Sequence, residues 1–286
     1  MPLFKKLCIV GLGLIGGSIG LAARRKRLAR EVVGLVRRRE SINESRRYGV
    51  SDHATLSVEE AVSDSQMIIM TTPLHAMEHL ADAIAPCAPE GCVITDVGSS
   101  KRCIVNAMEK IFHPRAHFVG AHPIAGSEQS GMRAARDDLF EGTPCILTPT
   151  RKTDKEALKK VRELWESLGS NVSLLSPSDH DRIVAAISHL PHILAAALVN
   201  SLARMPRGAK KILPLAGTGF KDSTRIAASP SDMWVDICLA NRGEILRALK
   251  NYQIELTLVK RALERDDVSG LRNMLQRASG LRKKMR

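Results

Sequence analysis

The run Leu7-Cys8-Ile9-Val10-Gly11-Leu12-Gly13-Leu14-Ile15-Gly16-Gly17-Ser18 decides how the rest of the chain is read. Apolar, β-type residues end at Val10, a glycine turn follows, and an apolar helical pattern opens at Leu14. Gly11 permits a tight turn, Gly13 lets backbone approach a pyrophosphate, and Gly16 lets the helix lie close on the strand. The first N–H groups of that helix face the phosphates in such a site, so Leu14 and Ile15 join the three glycines as candidate cofactor-binding residues. A lone G-x-G-x-x-G is weak evidence. Its place after a strand, before a helix and near the N-terminus points to a dinucleotide site. The plainer alternative is an ordinary glycine-rich strand-to-helix turn.

Working outward, strands and helices alternate. Strands are expected at residues 7–10, 32–36, 66–71, 92–97, 117–121, 144–147 and 171–175, and helices at 14–29 and 155–168. Another helix is expected to open near Ser99 or Ser100, both good N-cap residues. This alternation argues for a parallel, doubly wound α/β sheet of Rossmann type, with its ligand at the carboxyl ends of the strands. Thr72 and Pro73, which close the 66–71 strand, therefore fall at the cofactor cleft. Beyond Ser176-Pro177-Ser178-Asp179 helical patterns dominate, at 180–203, 233–249 extending to about 263, and 268–281. The expected organisation is a dinucleotide-binding domain over residues 1–175 and an all-α domain for substrate binding and dimerisation over 176–286.

Composition narrows the class. A chain of 286 residues is near the upper limit for one core, which favours two domains. No apolar run approaches the ~18 residues of a membrane span, and the N-terminus lacks a long signal-peptide core. Neither a membrane nor a secreted role is expected. The six cysteines make no C-x-x-C pair, so a zinc site and a disulfide framework are not indicated and a reducing cytoplasm is expected. The net charge of +13 is spread over separate clusters at 24–27, 37–39 and 282–284, with aromatics only 3% of residues to stack on bases. Solvated helix ends account for this better than nucleic-acid binding does.

The end of the second strand carries the cofactor choice. An acidic residue about 20 positions past the glycine turn normally holds the adenosine ribose hydroxyls of NAD. Here that place is Val36, followed at once by Arg37, Arg38 and Arg39. A valine beside arginines suits the 2′-phosphate of NADP, with Arg37 as its candidate partner and NAD as the alternative.

At this point the motifs resemble a family. Gly-Leu-Gly-Leu-Ile-Gly-Gly-Ser at 11–18, Asp96-Val97-Gly98-Ser99, His122-Pro123-Ile124-Ala125-Gly126, Ser188-His189-Leu190-Pro191-His192 and Gly219-Phe220-Lys221-Asp222-Ser223-Thr224-Arg225 occur in order. The series is similar to the prephenate/arogenate dehydrogenases of tyrosine biosynthesis, over roughly residues 7 to 260. The resemblance implies oxidation of prephenate or arogenate by a nicotinamide cofactor with release of CO2, and a dimer formed through the helical domain. It implies His122 as the catalytic histidine and Ser99 as the serine that orients the hydroxyl and the histidine. Lys221, Asp222, His192, Glu128 and Trp234 match positions that line the substrate site. Val36 departs from the NAD-using pattern. No regulatory domain is expected after residue 286, and any feedback control is expected at the dehydrogenase site itself.

The chemistry agrees. A proton must leave a ring hydroxyl as hydride leaves the same carbon, and a neutral imidazole suits that step near pH 7. The substrate is a small dicarboxylate, and Arg225 can grip a carboxylate with two parallel hydrogen bonds. Alone, His189 and His192 read more simply as core histidines, and His75 with His79 as an exposed helix face without a third metal ligand. Prephenate is favoured over arogenate because Lys221 and Trp234 match the prephenate-using pattern. Two other readings are a β-hydroxyacid dehydrogenase, which needs a lysine base absent near Asn200, and a non-catalytic NADP-holding protein, which has no need of His122 with Ser99 and Arg225.

Overall fold

The structure is a computed structural model, and it describes residues 1–126, 129–205 and 212–284. Its first strand, β1 (Phe4–Val10), is buried on both faces: Leu7 and Ile9 point to one core, Cys8 and Val10 to the other. That period of two inside an unbroken apolar run is the mark of an interior parallel strand. Helix α1 (Leu14–Arg25) crosses to β2 (Ala29–Leu35), which pairs parallel to β1. The helix is shorter than the expected 14–29, because the chain turns through Arg27 at φ +53° and enters the strand at Ala29.

There follow α2 (Arg39–Tyr48), β3 (His53–Thr55), α3 (Val58–Val62), β4 (Met67–Met70), α4 (Leu74–Ile84), β5 (Val93–Asp96), α5 (Arg102–Phe112) and β6 (His117–Pro123). The sheet is completed by β7 (Pro144–Thr148), α6 (Lys155–Leu168) and β8 (Asn171–Leu174). Its order is β3-β2-β1-β4-β5-β6-β7-β8. The chain order reverses between β1 and β4, and in doubly wound sheets ligands bind outside the carboxyl ends of the strands at such a switch point.

The expected parallel sheet carries one antiparallel pairing: β7 runs antiparallel to β6, with His122 opposite Ile146 and Pro123 opposite Cys145. A parallel return needs a crossover that carries the chain back to the other end of the sheet. Among the described residues between β6 and β7 the only helix is the 3₁₀ turn Met132–Ala134, which packs on α1 and α2. The chain therefore re-enters at the end it left.

Two apolar layers sandwich the sheet. One gathers Leu7, Ile9, Ile19, Phe140, Leu164 and Trp165; the other gathers Ile68, Met70, Met77, Ile94, Met108 and Phe112. Full burial of each such side chain contributes about 1.5–3 kcal/mol. Ser99 and Ser100 do not cap α5, which starts only at Arg102 and has no side-chain cap from its own N-cap residue, Lys101. The carboxylate of Asp181, eighty residues on, accepts from the N–H groups of Lys101 (2.7 Å) and Arg102 (3.0 Å) instead.

After β8 the described chain is helical. Helix α7 (Pro177–Val184), a π-helical turn (Ala185–His189) and α8 (Leu190–Leu202) form one continuous rod. The wider turn precedes Pro191, which has no N–H to give an ordinary helical bond. This rod corrects the expectation about apolar length: over Pro177–Leu202 it is long and apolar enough to cross a membrane by length and composition, with a mean hydropathy of 1.7 over its best 18 residues. The interruptions by His189, Pro191 and His192 hide that from a count of consecutive apolar residues. Then come α9 (Thr218–Thr224), a 3₁₀ turn (Arg225–Ala228), α10 (Ser231–Ala240), α11 (Arg242–Glu264) and α12 (Val268–Arg282). The single helix expected from 233 to 263 is broken at Asn241, whose backbone leaves the helical region at φ −112°, ψ 25°.

Candidate active site

The glycine turn is shaped for a phosphate. Gly11 has φ +97°, which favours glycine. A Cβ on Gly16 would lie 2.0 Å from the Gly11 carbonyl oxygen and 2.5 Å from Thr71 Oγ1, so α1 rests directly on the turn. A Cβ on Gly13 would meet no protein atom within 4 Å. Gly13 is the N-cap of α1, and it offers no side-chain cap to the free N–H groups of the first turn, which holds no acidic residue. Open space in front of uncapped donors, at the positive end of a helix, is what a pyrophosphate needs.

The other wall of the turn is Thr71 and Thr72. Thr71 Oγ1 donates to the carbonyl of Gly11, pinning the end of β4 to the turn. Thr72 Oγ1 is buried without a partner, and Pro73 is the N-cap residue of α4. An orphaned hydroxyl beside the glycine turn fits a polar ligand there. At the end of β2, Val36 is buried while Arg37, Arg38 and Arg39 are exposed.

His122 lies at the carboxyl end of β6, where its backbone pairs with Ile146 of β7. Its Nδ1 sits 2.8 Å from Nε2 of His180, and His180 Nδ1 sits 2.8 Å from Oδ1 of Asp181. Burial, then the neighbouring His180, Lys101 and His189, push the His122 imidazole well below the usual histidine range. It is therefore neutral near pH 7. His180 is lowered by burial too, against the opposing pull of Asp181. Burial works to raise Asp181, but hydrogen bonds from His180 and the N–H groups of Arg102 and Lys101 outweigh it, and its carboxyl ends below the normal range.

Behind His122 stands a fully buried ion pair. Lys101 Nζ donates to Asp96 and to the Ala121 carbonyl at 2.8 Å, while Asp96 accepts from the N–H of Gly98 (2.8 Å) and of Ala121 (3.1 Å). The ends of β5 and β6 are thus tied to each other next to the imidazole. His180, Asp181, Lys101 and Asp96 are partners that sequence reasoning did not single out for the site. The one available signal was Asp96, which stood in a motif without a role.

The helical rod brings a second group against the first. Asn241 Nδ2 donates to the Asp181 carbonyl (2.8 Å) and to His189 Nδ1 (3.2 Å). Burial lowers His189 to about 4. Trp234 stacks on His192 with ring centroids 3.4 Å apart and meets His189 edge-on at 6.1 Å. The indole N–H of Trp234 and Nε2 of His189 are buried without partners. Two unmatched polar atoms next to an aromatic stack suit a ligand with both an apolar ring and polar substituents. His75, on the exposed face of α4 as expected, pairs with Asp236 of α10 and so joins the cofactor-side turn to the helix of Trp234.

The remaining expected residues are placed less closely. Ser99 is half-buried after β5, and its hydroxyl makes no hydrogen bond to His122; the ring partner of His122 is His180. Lys221 and Asp222 are exposed on α9, and Arg225 opens the 3₁₀ turn that packs on α8. Glu128 lies outside the described residues. Among the described residues no group of three or more His, Cys, Asp or Glu is arranged to hold a metal.

Two family models cover most of the chain: prephenate dehydrogenase, nucleotide-binding domain, over residues 19–174, and prephenate dehydrogenase, dimerization domain, over residues 176–277. The chain belongs to the prephenate dehydrogenase family. A prephenate dehydrogenase of Bacillus subtilis is 35% identical over 266 residues, covering 93% of this chain and 72% of the relative. Prephenate dehydrogenase from Aquifex aeolicus, solved with hydroxyphenyl propionate and NAD+, superposes with a TM-score of 0.93 at 35% identity, over 99% of this chain and 98% of that one. Synechocystis arogenate dehydrogenase gives 0.85 at 30% identity, over 98% and 99%. Like its relatives in the prephenate dehydrogenase family, the chain is an oxidoreductase with a nucleotide-binding domain.

Proposed function

We propose that this chain oxidises prephenate, with loss of CO2, to 4-hydroxyphenylpyruvate, the route to tyrosine, and that His122 is its general base. The observation that carries the reading is an imidazole at the end of β6, hydrogen-bonded to a buried histidine, in the same layer of strand ends as the glycine turn; burial lowers its pKa and favours the neutral form. The bound nicotinamide supplies the acceptor for the hydride. The chain's own part is to bind, orient and deprotonate. His122 Nε2 accepts the ring-hydroxyl proton, and Ser99 orients that hydroxyl. Arg225 takes a substrate carboxylate in a bidentate grip, with Lys221, Asp222 and Glu128 as further substrate-binding residues and His192 with Trp234 along the ring. Gly11, Gly13, Leu14, Ile15, Gly16, Thr72 and Pro73 form the cofactor cradle. The domains divide at residue 175, between the end of β8 at Leu174 and the start of α7 at Pro177.

NADP is the proposed cofactor, because β2 ends in a buried valine followed by exposed arginines where an NAD site presents a carboxylate. The protein is proposed to act as a homodimer in the cytoplasm. The family model over 176–277 is that of a dimerization domain, and apolar side chains such as Ile187 (70% exposed) and Leu239 (66% exposed) await cover. All six cysteines are free. Arogenate is the second reading, favoured by the likeness to the Synechocystis arogenate dehydrogenase. Assays of prephenate and arogenate, each with NAD+ and NADP+, test both choices, with prephenate and NADP+ expected to give the highest kcat/KM. Turnover of arogenate alone, or preference for NAD+, overturns the corresponding half. His122→Asn should bind cofactor normally and lose about 10²–10⁴ in kcat.

A further inference from the structure

His122 touches a second histidine, and that one is wholly buried. His180 has no exposed surface and Asp181 almost none, yet both ring nitrogens of His180 are engaged, one by His122 and one by Asp181. Asp181 in turn receives the N–H groups of Lys101 and Arg102 at the start of α5, and the Ser100 hydroxyl at 3.4 Å. A carboxylate surrounded by donors is an acceptor only, so the proton shared with His180 belongs to His180 Nδ1. A neutral His180 protonated at Nδ1 has its lone pair at Nε2. That lone pair accepts the Nδ1–H of His122, and the lone pair of His122 is thereby fixed at Nε2.

We infer that His180 and Asp181 are positioning residues for the reaction, which fix the tautomer of His122, and that His180 receives its proton. The inference rests on the reading of His122 as the base. When the substrate O–H bond breaks and its proton forms a bond to His122 Nε2, the Nδ1–H bond of His122 breaks and that proton passes to His180 Nε2. His122 ends neutral, protonated at Nε2, and the positive charge ends on His180, beside the Asp181 carboxylate. After product leaves, His180 returns its proton to His122 Nδ1 and the Nε2 proton goes to water.

The charges around the pair favour this direction. Lys101, from the β5–α5 junction, bonds the carbonyl of Ala121 next to His122, which makes a cation on His122 costly. Asp96 offsets Lys101 from β5, Asp181 faces His180 from α7, and His189 of the π-helical turn and Cys145 of β7 are the other titratable groups nearby. Lys101 weighs against a cation on either ring, but a charge on His180 rests against the Asp181 carboxylate at 2.8 Å. Asp181 performs this while capping α5, so the same side chain docks the helical rod on the sheet domain and orders the base.

The test begins with the unaltered protein. Long-range ¹H–¹⁵N NMR of its histidines near pH 7 should show both His122 and His180 as the Nδ1–H tautomer; an Nε2–H tautomer on His122 overturns the inference without any substitution. Single-turnover kcat in H2O–D2O mixtures should bow downward, as two protons in flight require, and a straight line refutes the transfer to His180. His180→Gln keeps an acceptor for His122 Nδ1–H but cannot take up a proton. It should lose roughly 10²-fold in kcat, keep KM and cofactor affinity within a few-fold, and give a straight line. A His180→Gln protein with normal kcat and a bowed plot sinks the relay. His122→Asn separates the two ideas. If it retains normal turnover, the base reading itself fails; if it is inactive while His180→Gln is normal, only the relay fails.

Discussion

Replacing Lys101 by Met should weaken the fold and shift the acid limb of activity together. Lys101 and Asp96 are both fully buried, and Lys101 Nζ is the cation that faces the Asp96 carboxylate. Met keeps most of the aliphatic stem but removes the charge and the bond to the Ala121 carbonyl. Asp96 then holds two backbone N–H donors, from Gly98 and Ala121, and no counter-charge. Removing one partner of a buried pair costs about 3–5 kcal/mol, a large share of the ~5–15 kcal/mol that stabilises a typical native protein. With a urea slope of ~3 kcal/mol per molar the midpoint should fall by about 1–2 M. The fluorescence of Trp165, fully buried against Phe140, reports the transition. Adding Asp96→Asn should restore part of the loss, because an amide oxygen still accepts the Gly98 N–H without leaving a bare charge. Lys101→Met also removes one of the influences that hold His122 neutral, so the acid limb of kcat/KM should move upward in pH. A Lys101→Met protein within ~1 kcal/mol of the unaltered one, with its acid limb in place, would refute this account of the pair.

Three further outcomes are expected. Gly16→Ala places a Cβ 2.0 Å from the Gly11 carbonyl oxygen and should weaken cofactor binding at least about tenfold by pushing α1 off the turn, measured by titration of NADP+. Arg225→Ala should raise KM for prephenate steeply, by the ~2–5 kcal/mol that a lost carboxylate partner costs, roughly thirty- to several-thousand-fold in kcat/KM, while cofactor Kd stays within a few-fold; equal losses for both would move Arg225 to the cofactor side. Stability should rise with pH between about 4 and 6.5, because burial holds His189 at about 4 while the unfolded chain titrates near ~6.5 and binds more protons in that window. That contribution, about 3 kcal/mol, is complete above the window and lost below it, and urea midpoints at pH 7 and pH 4.5 should differ less in His189→Gln.

The sequence by itself determined what rests on short-range pattern. The buried alternation of residues 7–10, the glycine turn, the valine and arginines at the end of β2, and the change to helical periodicity after Ser176 are each written in adjacent residues. Each reflects a local requirement of backbone conformation or side-chain period. His122 could be placed at a strand end because a strand and the turn after it are local too. What only the tertiary structure decided are the contacts that close over long loops. The direction of β7 depends on where the chain between Pro123 and Pro144 packs, and no periodicity records that. The start of α5 is fixed by a carboxylate from the other domain, so the local serine signal was outcompeted. Asn241 breaks a helix that its neighbours would continue, and its amide bonds Asp181 and His189, which lie 60 and 52 residues away. His180 looks like any polar residue in the first turns of a helix. It becomes the partner of His122 because folding brings residues 58 apart to 2.8 Å in a buried layer. There water cannot satisfy an imidazole, so another protein group must.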